Sequence, residues 1–166
     1  MKKIICGILA ILITSFAMQT TAGFDVKVVD GDSLEIKNKR IRLVGIDAPE
    51  YFQECYDANG KAYACGKEAK NHLEKLIKNG VRQGEKVKCY QESTDRYKRD
   101  LSICRIKNTE LNLEMIKAGY AISYRDERYL LAEKRARQKK KGIWQGKFMR
   151  PEIYRAIKRE EEKQNN

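Results

Sequence analysis

Residues 24–50 read FDVKVVDGDSLEIKNKRIRLVGIDAPE. Residues 24–29, 33–37 and 40–45 read as strands, with 33–37 alternating apolar and polar as a half-buried strand does. Asp30-Gly31-Asp32 and Asn38-Lys39 between them are turn sequences, so the stretch predicts a three-stranded meander. In the third strand Ile41 and Leu43 share one face, and Arg40 and Arg42 share the other. Pro49 cannot continue a ladder and closes the meander at Asp47-Ala48-Pro49-Glu50.

Downstream, residues 51–65 are polar and irregular, with Asn59-Gly60 as a turn. Residues 66–79 carry Ala69, Leu73, Leu76 and Ile77 at helical spacing, with Asn79-Gly80 as a stop signal. Two strands follow at 85–91 and 101–106, separated by a charged loop over 92–100. A helix over 111–118, capped by Asn108 or Thr109, ends at Gly119. Residues 120–125 connect it to a basic helix over 126–141, which Gly142-Ile143-Trp144 closes. Pro151 opens a short charged helix, and residues 160–166 read as a frayed tail. Three strands, a helix, two strands and further helices predict an α+β chain. The expected architecture is a five-stranded OB-fold Greek-key β-barrel with three main helices and a short C-terminal helix.

The N-terminus reads differently. Lys2 and Lys3 precede an apolar run from Ile4 to Met18, and Thr20-Thr21-Ala22 offers small residues for cleavage. This is the layout of a signal peptide over residues 1–22, and the run is short for a membrane span. The expected parts are that signal, a folded domain over 23–146, and a charged helix or tail over 147–166. The mature protein is expected to be secreted or periplasmic, monomeric and without stable membrane association.

The chain has 35 Lys and Arg against 23 Asp and Glu, and losing residues 1–22 removes only Lys2 and Lys3, leaving a net charge of +10. Such a balance suits a polyanionic partner. Cys6 leaves with the signal, so Cys55, Cys65, Cys89 and Cys104 remain. An even count in an exported chain suggests disulfides, and four cysteines allow three pairings. Cys55–Cys65 within the irregular loop and Cys89–Cys104 across two strands are favoured. A four-cysteine zinc site is disfavoured because no Cys-x-x-Cys pair is present.

Asp30, Asp32, Asp47 and Glu50 lie at strand ends that a meander can bring together. Four carboxylates repel one another unless a cation joins them, and oxygen donors suit calcium or magnesium. The alternative is two ordinary acidic turns. Arg42 and Arg99 are candidate phosphate clamps, because a guanidinium grips two phosphate oxygens at once. His72, the only histidine, reads as a surface or half-buried residue of the first helix, and Trp144 as a core anchor.

Three ordered motifs carry a resemblance: Val29-Asp30-Gly31-Asp32-Ser33, residues 41–50, and Thr94-Asp95-Arg96-Tyr97-Lys98-Arg99. Together they closely resemble the staphylococcal nuclease (thermonuclease) family, over most of residues 28–144. The resemblance implies an OB-fold nuclease that hydrolyses DNA and RNA with calcium, endo and exo, leaving 3′-phosphates. It implies that Asp32 and Asp47 ligate calcium through carboxylates and Ala48 through its carbonyl, with Asp30 acting through water. It makes Glu50 the general base and Arg42 and Arg99 the phosphate-binding catalytic arginines. Arg96 and Tyr97 would contact a terminal phosphate, and Tyr124 would pack on a base. Two departures stand out. Lys98 replaces a usual Gly and would be strained at positive φ, and Asp100 could compete for the Arg99 guanidinium. The other reading of the barrel is a module that binds single strands without cutting them.

Overall fold

The computed structural model describes residues 26–165; the expected signal segment 1–22 lies outside them. Strands β1 (Val26–Asp30), β2 (Ser33–Ile36), β3 (Lys39–Leu43), β4 (Val87–Thr94) and β5 (Asp100–Ile106) form one curled half-barrel in the order β1-β2-β3-β5-β4. Thr109–Glu110 adds a short antiparallel rung to β5. β3 and β5 run parallel, pairing Ile41 with Asp100 and Leu43 with Ser102, whereas the other neighbours are antiparallel. The helices are α1 (Cys65–Arg82), α2 (Leu111–Ala118), α3 (Leu130–Gln138) and α4 (Pro151–Gln164). The α+β, OB-type arrangement expected from the sequence is thus the one observed.

Alternation along the strands decides what is inside. Val28, Leu34, Ile41 and Leu43 face inward and meet Leu73 and Ile77 from α1 and Leu111, Met115 and Ile116 from α2. Each such side chain contributes roughly 1.5–3 kcal/mol on burial. Fully buried Asn112 ties α2 to the sheet. Its Oδ1 accepts the Cys104 amide at 3.0 Å, and its Nδ2 donates to the carbonyls of Val44 (2.9 Å) and Ser102 (3.2 Å). A smaller cluster of Cys55, Cys65, Ile122 and Ile143 packs against Trp144 and Phe148, so Trp144 anchors that cluster's edge. His72 is half-buried on α1, its ring 4.6 Å from that of Tyr120, and burial followed by Lys75 pushes its pKa down.

Several boundaries differ from expectation for local reasons. The β2–β3 turn is Lys37-Asn38, both at positive φ (50° and 64°), one residue earlier than predicted. α1 continues through Asn79-Gly80 to Arg82. Gly80 serves close packing, since a Cβ there would lie 2.4 Å from Ile106 Cδ1. β4 runs on to Thr94, because the hairpin pairing extends to Thr94 opposite Asp100. Neither Asn108 nor Thr109 caps α2; Glu110 holds that position, with no side-chain cap bond. α3 begins at Leu130 because Asp126 is taken up by the preceding turn, where it binds the Arg128 amide and guanidinium. The two favoured disulfides, Cys55–Cys65 and Cys89–Cys104, are both present. The second joins residues directly opposite each other on β4 and β5.

Candidate active site

The acidic turns meet because β2 and β3 are hairpin partners. Ser33 lies opposite Arg42, and the Leu43 amide donates to the Asp32 carbonyl at 2.8 Å. After β3 the chain turns at Gly45 (φ 78°) and runs through the buried pair Ile46–Asp47, which ladders with Ile122–Ser123. The Ala48 amide then donates to Asp32 Oδ2 at 2.9 Å, locking the second acidic turn onto the first. Gly31 permits this approach, since a Cβ there would lie 2.7 Å from Ala48 Cβ and 2.8 Å from Ala69 Cβ.

Arg42 bridges the two buried aspartates: its Nη1 pairs with Asp32 Oδ1 and its Nη2 with Asp47 Oδ1 at 2.7 Å. Burial alone would raise the Asp32 pKa, but the Arg42 charge and the Ala48 amide outweigh it and hold the carboxyl below its ordinary value. Burial raises the Asp47 pKa, and hydrogen bonds from Arg155 work against that rise. Asp30 accepts the Asp32 amide at 3.0 Å. Burial and then the neighbouring Asp32 charge push it up to about 7. Asp32 and Asp47 more than offset the burial of Arg42 and hold it firmly charged.

Glu50 is gripped through its backbone. Its amide donates to Gln53 Oε1 at 3.2 Å, and its carbonyl accepts the Gln53 amide at 2.8 Å. That carbonyl also packs on Gly66 at the start of α1, where a Cβ would lie 1.7 Å from it. The Cys55–Cys65 bridge fixes the same corner. The Glu50 carboxylate is left half-exposed beside Asp47.

The second arginine motif forms a separate turn. Lys98 sits at φ 60°, as the departure from Gly foreshadowed. Asp95 closes the turn, accepting the amides of Tyr97 (2.8 Å) and Arg99 (3.0 Å) and the Arg99 Nε (2.8 Å). The expected competitor Asp100 instead pairs with Lys39 at 3.7 Å, because β5 registers it against Ile41 at the strand edge. Arg96 and Arg99 both lie over the Tyr97 ring, at 4.8 and 5.6 Å from its centroid. Tyr124 donates its amide to the Gly45 carbonyl at 3.0 Å, under Arg125. Arg42, Asp32, Asp47, Ala48, Asp30 and Glu50 therefore form one cluster. Arg99, Arg96 and Tyr97 form a second, and Tyr124 lies at the rim of the β3 exit.

Sequence reasoning missed two participants. Gln53, fully buried, also donates through Nε2 to the Met149 carbonyl at 2.7 Å, tying the Glu50 corner to the segment before α4. Arg155, on α4, reaches both Asp47 oxygens (2.9 and 3.0 Å) and Glu50 Oε1 (2.7 Å). The only signal in the sequence was Pro151 opening a helix that could face anywhere.

The family model described as staphylococcal nuclease homologue matches residues 40–146. The chain belongs to the staphylococcal nuclease family. An uncharacterized endonuclease of Haemophilus influenzae is 33% identical over 128 residues, covering 72% of this chain and 64% of the relative. The thermonuclease of Staphylococcus intermedius is 29% identical over 130 residues, covering 72% and 73%. The succinoglycan biosynthesis protein ExoI of Rhizobium meliloti is 32% identical over 121 residues, covering 70% and 61%. The chain thus spans under two thirds of the length of some relatives. Within this nuclease-family domain Arg42, Asp47, Glu50 and Arg99 fall inside the matched span; Asp30 and Asp32 precede it, and Arg155 follows it.

The donor set suits a hard divalent cation. Four carboxyl groups face two guanidinium groups, leaving two negative charges over when all four acids are ionised. Among the described residues, no three acidic, His or Cys side chains already converge as a ready cation cage. Asp32 and Asp47 are each engaged by an arginine instead.

Proposed function

We propose that this protein is a calcium-dependent nuclease that hydrolyses phosphodiester bonds in DNA and RNA, endo and exo, leaving 3′-phosphates. The observation that carries the reading is Arg42 spanning Asp32 and Asp47 with Glu50 alongside, on a staphylococcal nuclease domain. The names of the Haemophilus and Staphylococcus relatives point the same way.

In this reading the Asp32 and Asp47 carboxylates and the Ala48 carbonyl would hold calcium, and Asp30 would contribute from beside them. When bound, such a cation supplies positive charge against the phosphate and offsets charge gained in the transition state. Glu50 accepts the proton of the attacking water, and its braced backbone keeps the carboxylate aimed. Arg42 already lies among the acids and binds a phosphate oxygen there. Arg99 closes from the neighbouring turn and stabilises the leaving group. Arg96 and Tyr97 receive a terminal phosphate, and Tyr124 stacks on a base.

The protein is proposed to act outside the cytoplasm as a monomer. Its two disulfides suit an oxidising compartment, and among the described residues no helix is long and apolar enough to cross a membrane.

The test is cleavage of single-stranded DNA and RNA by residues 23–166 in calcium, magnesium or a chelator, beside Glu50→Gln. Calcium-dependent cutting that Glu50→Gln lowers by about 10²- to 10⁴-fold is expected. Retention of nucleic acid without cutting in any metal would leave the noncatalytic binding module as the better account.

A further inference from the structure

α4 lies beyond the span that matches the family, yet it supplies a charged contact on the Glu50 carboxylate at 2.7 Å. Its entry is fixed. Gln53 holds the Met149 carbonyl, and Pro151 is the one buried residue of the helix. One turn later Arg155 projects its guanidinium onto Asp47 and Glu50. It takes both oxygens of Asp47, whose side chain is fully buried, and is itself only 28% exposed. Beyond Arg155 the helix turns to solvent with exposed residues and local ion pairs such as Lys158–Glu161 and Lys163–Glu160. The second turn of α4 is thus held to the site by charge, at the oxygens a cation needs.

We propose that Arg155 is an internal competitor for the cation: α4 docks its guanidinium on Asp47 and Glu50 in the resting protein, and divalent-cation binding requires it to withdraw. The inference rests on the metal-dependent reading above. Physically, a guanidinium and a divalent ion cannot share the Asp47 oxygens without strong like-charge repulsion at short range. Arg42 touches one oxygen of each aspartate, Asp32 Oδ1 and Asp47 Oδ1, and leaves Asp47 Oδ2 to Arg155, which therefore closes the last free oxygen of Asp47. The two equilibria are linked. Whatever factor Arg155 costs the cation, the cation costs the docking of α4, and couplings of this kind run at about 5- to 150-fold. Arg155 therefore sets the calcium concentration at which the site becomes competent, and Glu50 is freed as a base by the same displacement.

Calcium binding to residues 23–166 by titration calorimetry tests this, with wild type, Arg155→Ala and Arg155→Gln compared. The Gln variant keeps the stem and removes the charge, guarding against a loss of helix packing. Both variants are expected to bind calcium about 5- to 150-fold more tightly than wild type. In wild type, calcium should shift the Arg155 side-chain NMR resonance toward that of a solvated arginine. Equal affinities in all three proteins, or an Arg155 resonance that calcium leaves unmoved, would overturn the competitor while leaving the nuclease reading intact. No calcium binding by any of them would overturn the metal reading and the competitor with it.

Discussion

Asp47 is held by two arginines that reach it from very different parts of the fold. Arg42 stands in β3, with a side chain 13% exposed, and joins Asp47 to Asp32 across a hairpin only a few residues long. Arg155 stands more than a hundred residues later, on a helix exposed beyond it, and joins Asp47 to Glu50. The first contact is part of what makes the two acidic turns one structure. The second is laid over a structure already complete. The same chemical pair can therefore serve architecture in one place and control in another, and the difference lies in burial and in what else the partner element is fastened to.

The largest effect expected from breaking this contrast is at Arg42. Arg42→Ala leaves the buried Asp32 carboxylate without a charged partner and should destabilise the fold by about 3–5 kcal/mol in urea unfolding. Arg155→Ala should cost under about 1 kcal/mol in the same experiment, since Asp47 keeps Arg42 and Glu50 reaches solvent. Equal losses would erase the distinction between the two arginines.

Next in size is the bridge at the Glu50 corner. The double variant Cys55→Ala with Cys65→Ala reopens a link between residues 10 apart. It should lose about 2–3 kcal/mol by the chain-entropy estimate. Because Gln53 lies two residues before that link and its carbonyl accepts the Gly66 amide just after it at 3.2 Å, hydrogen exchange should speed up at Glu50 and around Met149 more than at Arg42. Uniform exchange across all three sites would mean that the bridge does not single out the α4 side.

A smaller gain is expected at the third arginine. Lys98→Gly relieves a left-handed residue at φ 60° and should stabilise the protein by about 1 kcal/mol, read as a rise in Tm. The smallest effect concerns the same turn. Hydrogen bonds and charge from Arg99 hold the Asp95 carboxyl below its ordinary value despite burial. A carboxyl with a lowered folded-state pKa contributes stability that is present above its unfolded value of 3.8 and is lost as pH falls through the folded value. Unfolding midpoints should therefore drop below about pH 4 more in wild type than in Asp95→Asn.

Much of the architecture was readable because its signals are local. Period-two alternation over residues 26–43 and helical spacing over 69–77 survive in any tertiary setting. The cluster of Asp30, Asp32, Arg42, Asp47 and Glu50 was readable for the same reason, since a meander brings strand ends together within a short stretch of chain. What failed locally failed where distant packing decides. Gly80 looks like a helix stop until Ile106 is seen against it, and Asp100 looks like a partner for Arg99 until β5 registers it beside β3. Gln53 and Arg155 carry no motif at all. Their roles depend on the docking of segments about a hundred residues apart, which no window of sequence displays.

The Cys55–Cys65 bridge also encloses the exposed tip Asn59-Gly60-Lys61, where Asp57 gathers the amides of Asn59 and Lys61. A protease that clips after Lys61 would cut the chain but not divide the molecule. The two fragments would stay joined through the sulfurs, migrate together without reductant and separate only with it. Glu50 and the start of α1 would remain on opposite sides of the cut yet in register, so this exposed tip is a place where a nick leaves the corner of the site intact.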